Sequence, residues 1–443
     1  MTLTPTNVTA PTPDATTITH LTSSDPGQPT VVMAAAGTPH SLYQARQNLT
    51  ESAANVDDFA LDLDRFVRSE LPRINSAIEA GTATVADLMT ATRVLVRAQQ
   101  HAIPRAYEDR QLAAEITRQL GFIAASIERH AQAVKAPPGD GLLSVSGFTE
   151  VLCAWAGAAG LSPMLDYDGY WLRNRHAPLT FTGEREELVF NELVNRTVDV
   201  AASIMRLLND LRTGVVAFDN PGTVTELNIQ ALKLISLYEA YRDLGRKNDA
   251  GTMIFSPAFF MRMRQYLLSF PIAGVVHDGP NATFSPNQAR IDVAFGISTR
   301  DYQGTLATRL PKMTPAHREL MVTEMALPSI ADAVVAILDL PSDWPKMAPA
   351  EIFSQARERG ATFVETMTAL KRLLAAQIQL SNVHFGRIST HLTKPSAALT
   401  PAQADAMPVK PTGGVGGNDV AHTREIVDMR KTHPVVSVLF AAF

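Results

Sequence analysis

Cysteine is nearly absent: Cys153 stands alone in 443 residues. A chain with one thiol builds no internal disulfide framework and no thiolate-rich zinc or iron–sulfur centre, so a reducing, cytoplasmic setting is expected. Charge of one sign is missing as well. The formal net charge is −5 and lysine and arginine are scattered singly, which leaves no basic stripe for nucleic acid or an anionic membrane surface. Long hydrophobic runs are also lacking. Val31 to Ala36 and Ile330 to Leu340, the latter with two aspartates, fall short of the ~18 to 20 apolar residues of a membrane span. The N-terminus has neither a basic start nor an apolar core of the secretory kind, so no leader is read there.

What the chain does have is apolar residues, 46% against 19% charged, the balance of a globular protein. Residues 1–40 are rich in Thr, Pro, Ala and Ser without periodicity and are expected to be a disordered tail. From Ser41 apolar residues recur three or four apart over Val56 to Glu79, Val85 to His101 and Tyr107 to Val134, a first helical layer spanning 41–135. Ala136-Pro137-Pro138-Gly139-Asp140-Gly141 then interrupts the pattern and is read as a domain boundary. Helical periods resume over Leu143 to Gly157, Glu184 to Leu211, Thr223 to Leu244, Pro257 to Leu268, Pro315 to Thr323, Ile330 to Ile337 and Pro349 to Leu392, within a second region 142–443. Alternating runs are few, and the fold class is all-α.

Motifs of hydrolases, phosphate loops and helical metal-binding histidine pairs are missing. The chemistry-bearing candidates are helical. In the stretch Phe363 to Leu392, His384 shares a face with Leu373, Leu380 and Ile388, which lie eleven or four residues away. An inward imidazole is either a core histidine satisfied by its neighbours or an axial ligand of a heme iron. His391 lies seven residues further on. Thr412-Gly413-Gly414-Val415-Gly416-Gly417 is either a flexible connection or a loop whose backbone approaches a ligand closely. Ser256-Pro257 reads as a cap and a first helical position, followed by Phe260 and Arg264 one turn apart. That pair is either a solvated helix face or an aromatic wall and a guanidinium fork for a carboxylate. His317, in Met313-Thr314-Pro315-Ala316-His317, is assigned to a helix start, and Cys153 to packing.

Taken in order, several segments resemble the heme-dependent superfamily of tryptophan and indoleamine 2,3-dioxygenases, nearest to the branch that contains monodechloroaminopyrrolnitrin synthase. The carrying pieces are Ala159 to Tyr167, Phe181-Thr182-Gly183, Ser256 to Arg264, Asp278 to Ala282, Met313 to Arg318, His384 with Pro395 eleven residues on, and Thr412-Gly413-Gly414. The similarity runs from about Leu120 to Phe443. It implies an all-α heme-binding bundle with heme b as cofactor, O2 as co-substrate and a tryptophan-like aromatic amino acid or indole as substrate. By the same resemblance His384 is the proximal iron ligand, Arg264 holds the substrate carboxylate, Thr412, Gly413 and Gly414 close over the ligands, and Phe190 and Val194 line the distal side. At Val194 some members carry a hydroxyl residue, and this chain has none. A same-fold oxygenase with a non-indole substrate such as tyrosine, or a heme binder without turnover, fits the same residues, and the oligomeric state is left open.

Overall fold

Apolar positions three and four apart make helices here from almost end to end, and a computed structural model describes the result for residues 56–97, 109–247, 253–281, 285–409 and 420–443. The Thr/Pro-rich segment 1–40 and Thr412, Gly413 and Gly414 lie outside these residues. By contacts the chain divides into Met1–Ser41 and Leu42–Phe443, and every described element belongs to the second unit.

The first elements are α1 (Val56–Arg65), α2 (Leu71–Glu79), which follows through a wide π turn, and α3 (Val85–Arg97). They pack on α4 (Arg110–Ala133), whose N-cap Asp109 accepts hydrogen bonds from the amides of Gln111 and Leu112. The Pro-Pro-Gly-Asp-Gly break after α4 is a turn inside this unit. The buried Glu128 carboxylate accepts hydrogen bonds from the Gly139 and Leu142 amides, tying the turn to the helix it leaves. Next come α5 (Phe148–Ala159), α6 (Arg185–Arg212) and α7 (Pro221–Asp243), the last with Asn220 as cap and Pro221 at its first position.

After α8 (Pro257–Met263) the chain forms the only sheet among the described residues, an antiparallel hairpin of β1 (Phe270–Ile272) and β2 (Val275–His277). Then follow α9 (Asn287–Phe295), α10 (Arg300–Arg309), α11 (Pro315–Ala326), α12 (Ile330–Leu338), α13 (Pro349–Glu358), α14 (Ala361–Ile388) and α15 (Val420–Thr432). The all-α class holds. The single period read over Pro349 to Leu392 is two helices, because Gly360 adopts φ 111°, a conformation that ends α13 and resets the axis for α14. A π turn over Ser389–Thr393 extends α14 beyond Ile388. The hairpin and the helices α9, α10 and α15 carry too weak a period to be read from sequence.

Pro315–Leu338 has the length and hydropathy of a membrane crossing by composition. It is not one straight helix: α11 ends at Ala326, Pro328 cannot donate a backbone hydrogen bond, and Ser329 and Asp332 form a capping box that starts α12 afresh.

The helices α7 and α14 make the most extensive helix pair, and α6 packs on α7. Leu227, Leu234, Leu370, Leu373 and Leu374 are among the buried side chains of that layer. Below it, Phe122, Tyr170, Phe181 and Tyr266 form an aromatic stack, with Phe181 and Tyr266 rings 4.7 Å apart. The loop entering α6 is fixed by the buried Glu187, whose carboxylate accepts from the amides of Phe181 and Thr182 and the hydroxyls of Thr182 and Tyr170. That clamp sets where α6 presents its next turns.

Candidate functional site

A cavity of about 390 Å³ lies between α6, α7, α8, α9, α10, α14 and α15, within the range of small-molecule and cofactor sites, roughly 300 to 1,000 Å³. Five of the residues singled out in the sequence meet on its wall: Phe190 and Val194 from α6, Phe260 from α8, Arg264 from the 3₁₀ turn that follows α8, and His384 from α14. They come from separate stretches of chain, so their meeting is a product of the fold.

The α8 start is capped as its sequence suggests, with Ser256 Oγ accepting from the Phe259 amide. This cap and Pro257 aim Phe260 at the aromatic side of the cavity. Phe190 stacks on Phe255 with centroids 5.5 Å apart, and Phe260 and Trp171 meet Phe190 edge-on at 6.3 Å each. Such a wall favours a flat aromatic ligand.

His384 and His391 share the helix run but differ in environment. The His391 nitrogens both lie 3.1 Å from backbone carbonyl oxygens, Nδ1 from Arg387 and Nε2 from Phe255, so neither is open to a ligand. His384 has no hydrogen-bond partner among the described residues. Leu373 and Leu380 on its face are buried, as the periodicity requires, whereas His384 itself is exposed, on the wall of the cavity. Its ring meets Tyr241 edge-on at 5.9 Å. Burial, and secondarily the Arg430 charge, lower its pKa from the ordinary histidine value, so the imidazole is neutral at neutral pH. It is a Lewis base facing open space.

Among the described residues no cluster of three or more His, Cys, Asp or Glu side chains could hold a metal ion.

The electrostatics of the wall are one-sided. Arg264, Arg309, Arg387 and Arg430 line it, and no aspartate or glutamate does among the described residues. Arg430 is balanced from behind: its Nε and Nη2 donate to the two Asp292 oxygens at 2.9 and 2.7 Å, Nη1 donates to Ser381 Oγ at 2.9 Å, and Tyr302 Oη donates to Asp292 at 2.8 Å. Those bonds join α9, α10, α14 and α15 around the cavity. Arg264 is almost wholly covered, and burial pushes its guanidinium down to about 10, still protonated at neutral pH. The solvated-face reading of Arg264 is thereby excluded.

Sequence reasoning found no hydroxyl at Val194, but the cavity has others. Thr197, one turn further along α6, donates to the Leu193 carbonyl at 2.8 Å and so accepts from Tyr241 Oη at 3.3 Å. The helical period from Val194 pointed to Thr197. Tyr241 carried no such signal, since its place depends on how α7 crosses α6. Trp171 and Arg387 were likewise not singled out.

The glycine run has both flanks at this site. Val409 exchanges hydrogen bonds with Gln265, the neighbour of Arg264, and α15 brings Ile426, Val427 and Arg430 to the wall. On the other side of Tyr167, a polar recess of about 20 Å³ is lined by Asp166, Asp278, Lys312 and His317. Three segments quoted for the resemblance meet there. His317, read as part of a helix start, indeed gives its amide to Thr314, and its Nδ1 also lies 3.3 Å from Asp168. Cys153 is partly buried, and burial raises its thiol pKa to about 11, in keeping with packing.

No protein-family profile and no curated protein sequence matches the chain, so the geometry of this cavity is what bears on its function.

Proposed function

We propose that the protein is a heme-dependent oxygenase acting with O2 on tryptophan or a related aromatic amino acid. The observation that carries this reading is His384: a neutral imidazole, without a hydrogen-bond partner among the described residues, on the wall of a largely apolar cavity. Heme b, when bound through His384, supplies the O2 chemistry.

The chain's residues supply the rest. Phe190, Phe255 and Phe260 provide a flat apolar wall against which an indole or phenol ring is oriented. Arg264 stays cationic in a low-dielectric setting, where a bidentate contact to a substrate carboxylate is strong and directional. A buried guanidinium on the cavity wall favours an enzyme for amino acids over a simple heme carrier. Val194 and Leu380 keep the cavity apolar and exclude water, while Thr197 and Tyr241 hold one proton between their hydroxyls. Tyr241 is buried and burial raises its pKa, so it stays protonated and serves as a hydrogen-bond donor. Thr412, Gly413 and Gly414 would close over the ligands, the role that the resemblance gives them.

The test is reconstitution of the purified protein with hemin, reduction, and measurement of O2 uptake with L-tryptophan, L-tyrosine and no addition. Hemin binding with tryptophan-dependent O2 uptake is expected. Uptake with tyrosine alone would move the substrate class, and hemin binding with no uptake above the blank would leave a binding protein.

A further inference from the structure

Arg387 is a cavity cation that the proposed function leaves unused. It lies three residues beyond His384 on α14, a spacing that puts two Cβ atoms on one helix face roughly 5 to 6 Å apart. Its Nε is enclosed with no hydrogen-bond partner, and no ion pair reaches the guanidinium among the described residues. Arg430 has Asp292 as its counter-ion; Arg387 has nothing comparable.

The surroundings make room for this unmatched charge. A Cβ on Gly245 would collide with the Arg387 guanidinium, which occupies that space. Gly245 does not adopt the left-handed conformation that calls for glycine, so its lack of a side chain serves the arginine and not the turn. A cation held at the wall of an apolar cavity that no carboxylate lines is unfavourable until an anion arrives.

We propose that Arg387 binds a carboxylate of the group that His384 ligates, a peripheral propionate of the porphyrin. This rests on His384 being the axial ligand. The one-turn spacing argues for that source, because a group held by His384 would have its peripheral carboxylates within reach of the same face of α14, whereas Arg264 approaches from the turn after α8. The other source of the same chemistry is the carboxylate of an amino-acid substrate.

The experiment titrates heme-free protein with hemin and with hemin dimethyl ester, whose propionates carry no charge, following the Soret band for wild type, Arg387→Gln and Arg387→Lys. Hemin-loaded protein is then titrated with L-tryptophan and tryptamine. Expected is a loss of hemin affinity of roughly ten- to a hundred-fold in Arg387→Gln, a smaller loss in Arg387→Lys, and a wild-type preference for hemin over its ester that the Gln variant lacks. If hemin binding is unchanged and only tryptophan, not tryptamine, is weakened, the carboxylate is the substrate's and the porphyrin assignment is overturned. Equal binding of hemin and ester by wild type also overturns it, and needs no variant to fold. Wild type that takes up no hemin at all sinks the oxygenase reading and this inference together, whereas hemin uptake indifferent to Arg387 and to esterification sinks the inference alone.

Discussion

Two of the regions that bury arginine do so to opposite ends. Where α6, α9 and α11 meet, Arg212 and Arg290 both grip Glu324, with the Arg290 Nη2 to Glu324 contact at 2.6 Å and the Glu324 side chain only 2% exposed. Burial lowers the pKa of both arginines, yet each is matched by a carboxylate of the chain itself. Around the cavity, four arginines face a common space into which no described residue brings a carboxylate. The first arrangement is complete without a ligand and fixes three helices. In the second, Arg430 is matched by Asp292 behind the wall while Arg387 has no ion pair among the described residues, and that difference, more than burial or residue type, separates framework from site.

The largest effect belongs to the complete region. Glu324→Ala leaves two buried guanidinium groups without their counter-ion and is expected to destabilise the fold by ~3 to 5 kcal/mol, measured by urea denaturation; a loss under 1 kcal/mol would erase the distinction. Next comes the cavity. Arg264→Ala is expected to cost ~2 to 5 kcal/mol in L-tryptophan affinity, about thirty- to several-thousand-fold, with little change for tryptamine and no rescue by lysine. Spectral titration of hemin-loaded protein decides it, and equal tryptophan and tryptamine affinities in wild type would refute the carboxylate role. His391→Ala exposes the smaller contribution of a histidine used by the framework: it strands the carbonyl of Phe255 and is expected to lose ~1 to 3 kcal/mol of stability. Removing His384, which bonds to nothing described, is expected to change the heme-free protein's stability by less than either.

Acid should separate the regions further. His130 is held neutral by burial and by the neighbouring Arg129 charge, its pKa lowered to about 3, and its Nε2 donates to Asn75 Oδ1 at 3.0 Å. Below the ordinary histidine pKa of ~6.5, the unfolded chain takes up a proton that the folded chain refuses until about pH 3. Stability therefore falls as pH drops through that window, by at most about 1.4 kcal/mol per unit from this group. Denaturation at a series of pH values should show the slope reduced in His130→Gln, and an unchanged slope would show that the histidine is not the source. The smallest effect is expected from deleting residues 1–40, whose composition supplies no apolar period: melting temperature and hemin content should not change, and a drop of several degrees would show that the segment packs on the body.

Much of the fold was legible because helix period is local. The extents of α4, α6 and α7 follow from apolar spacing to within a few residues, while the caps Asp109 and Asn220 that fix the starts of α4 and α7 were seen only in the structure. Where tertiary contacts decide, the sequence was silent. The α9 helix shows little amphipathic pattern because Asp292 is buried against Arg430 of α15, a partner well over a hundred residues away. The site divided in the same manner. His384, Phe260 and Arg264 stood out as residue types at helical spacing, but Tyr241 acquires meaning only when α7 crosses α6, and Arg387 only where Gly245 leaves room for it. Nothing in the spacing of His384 and His391 said which one faces open space. That depended on the carbonyl of Phe255, brought to His391 by the turn before α8.

The central claim is that His384 is the ligand around which the cavity is built, and the most direct measurement is the absorption spectrum of hemin-reconstituted protein, ferric, ferrous and ferrous with carbon monoxide, for wild type and His384→Gly. Wild type should bind one heme per chain with a histidine-ligated spectrum. His384→Gly should lose or grossly alter that spectrum while folding normally, and added imidazole should restore it. An unchanged Soret band and ferrous spectrum in the variant, with heme still bound, would contradict the account.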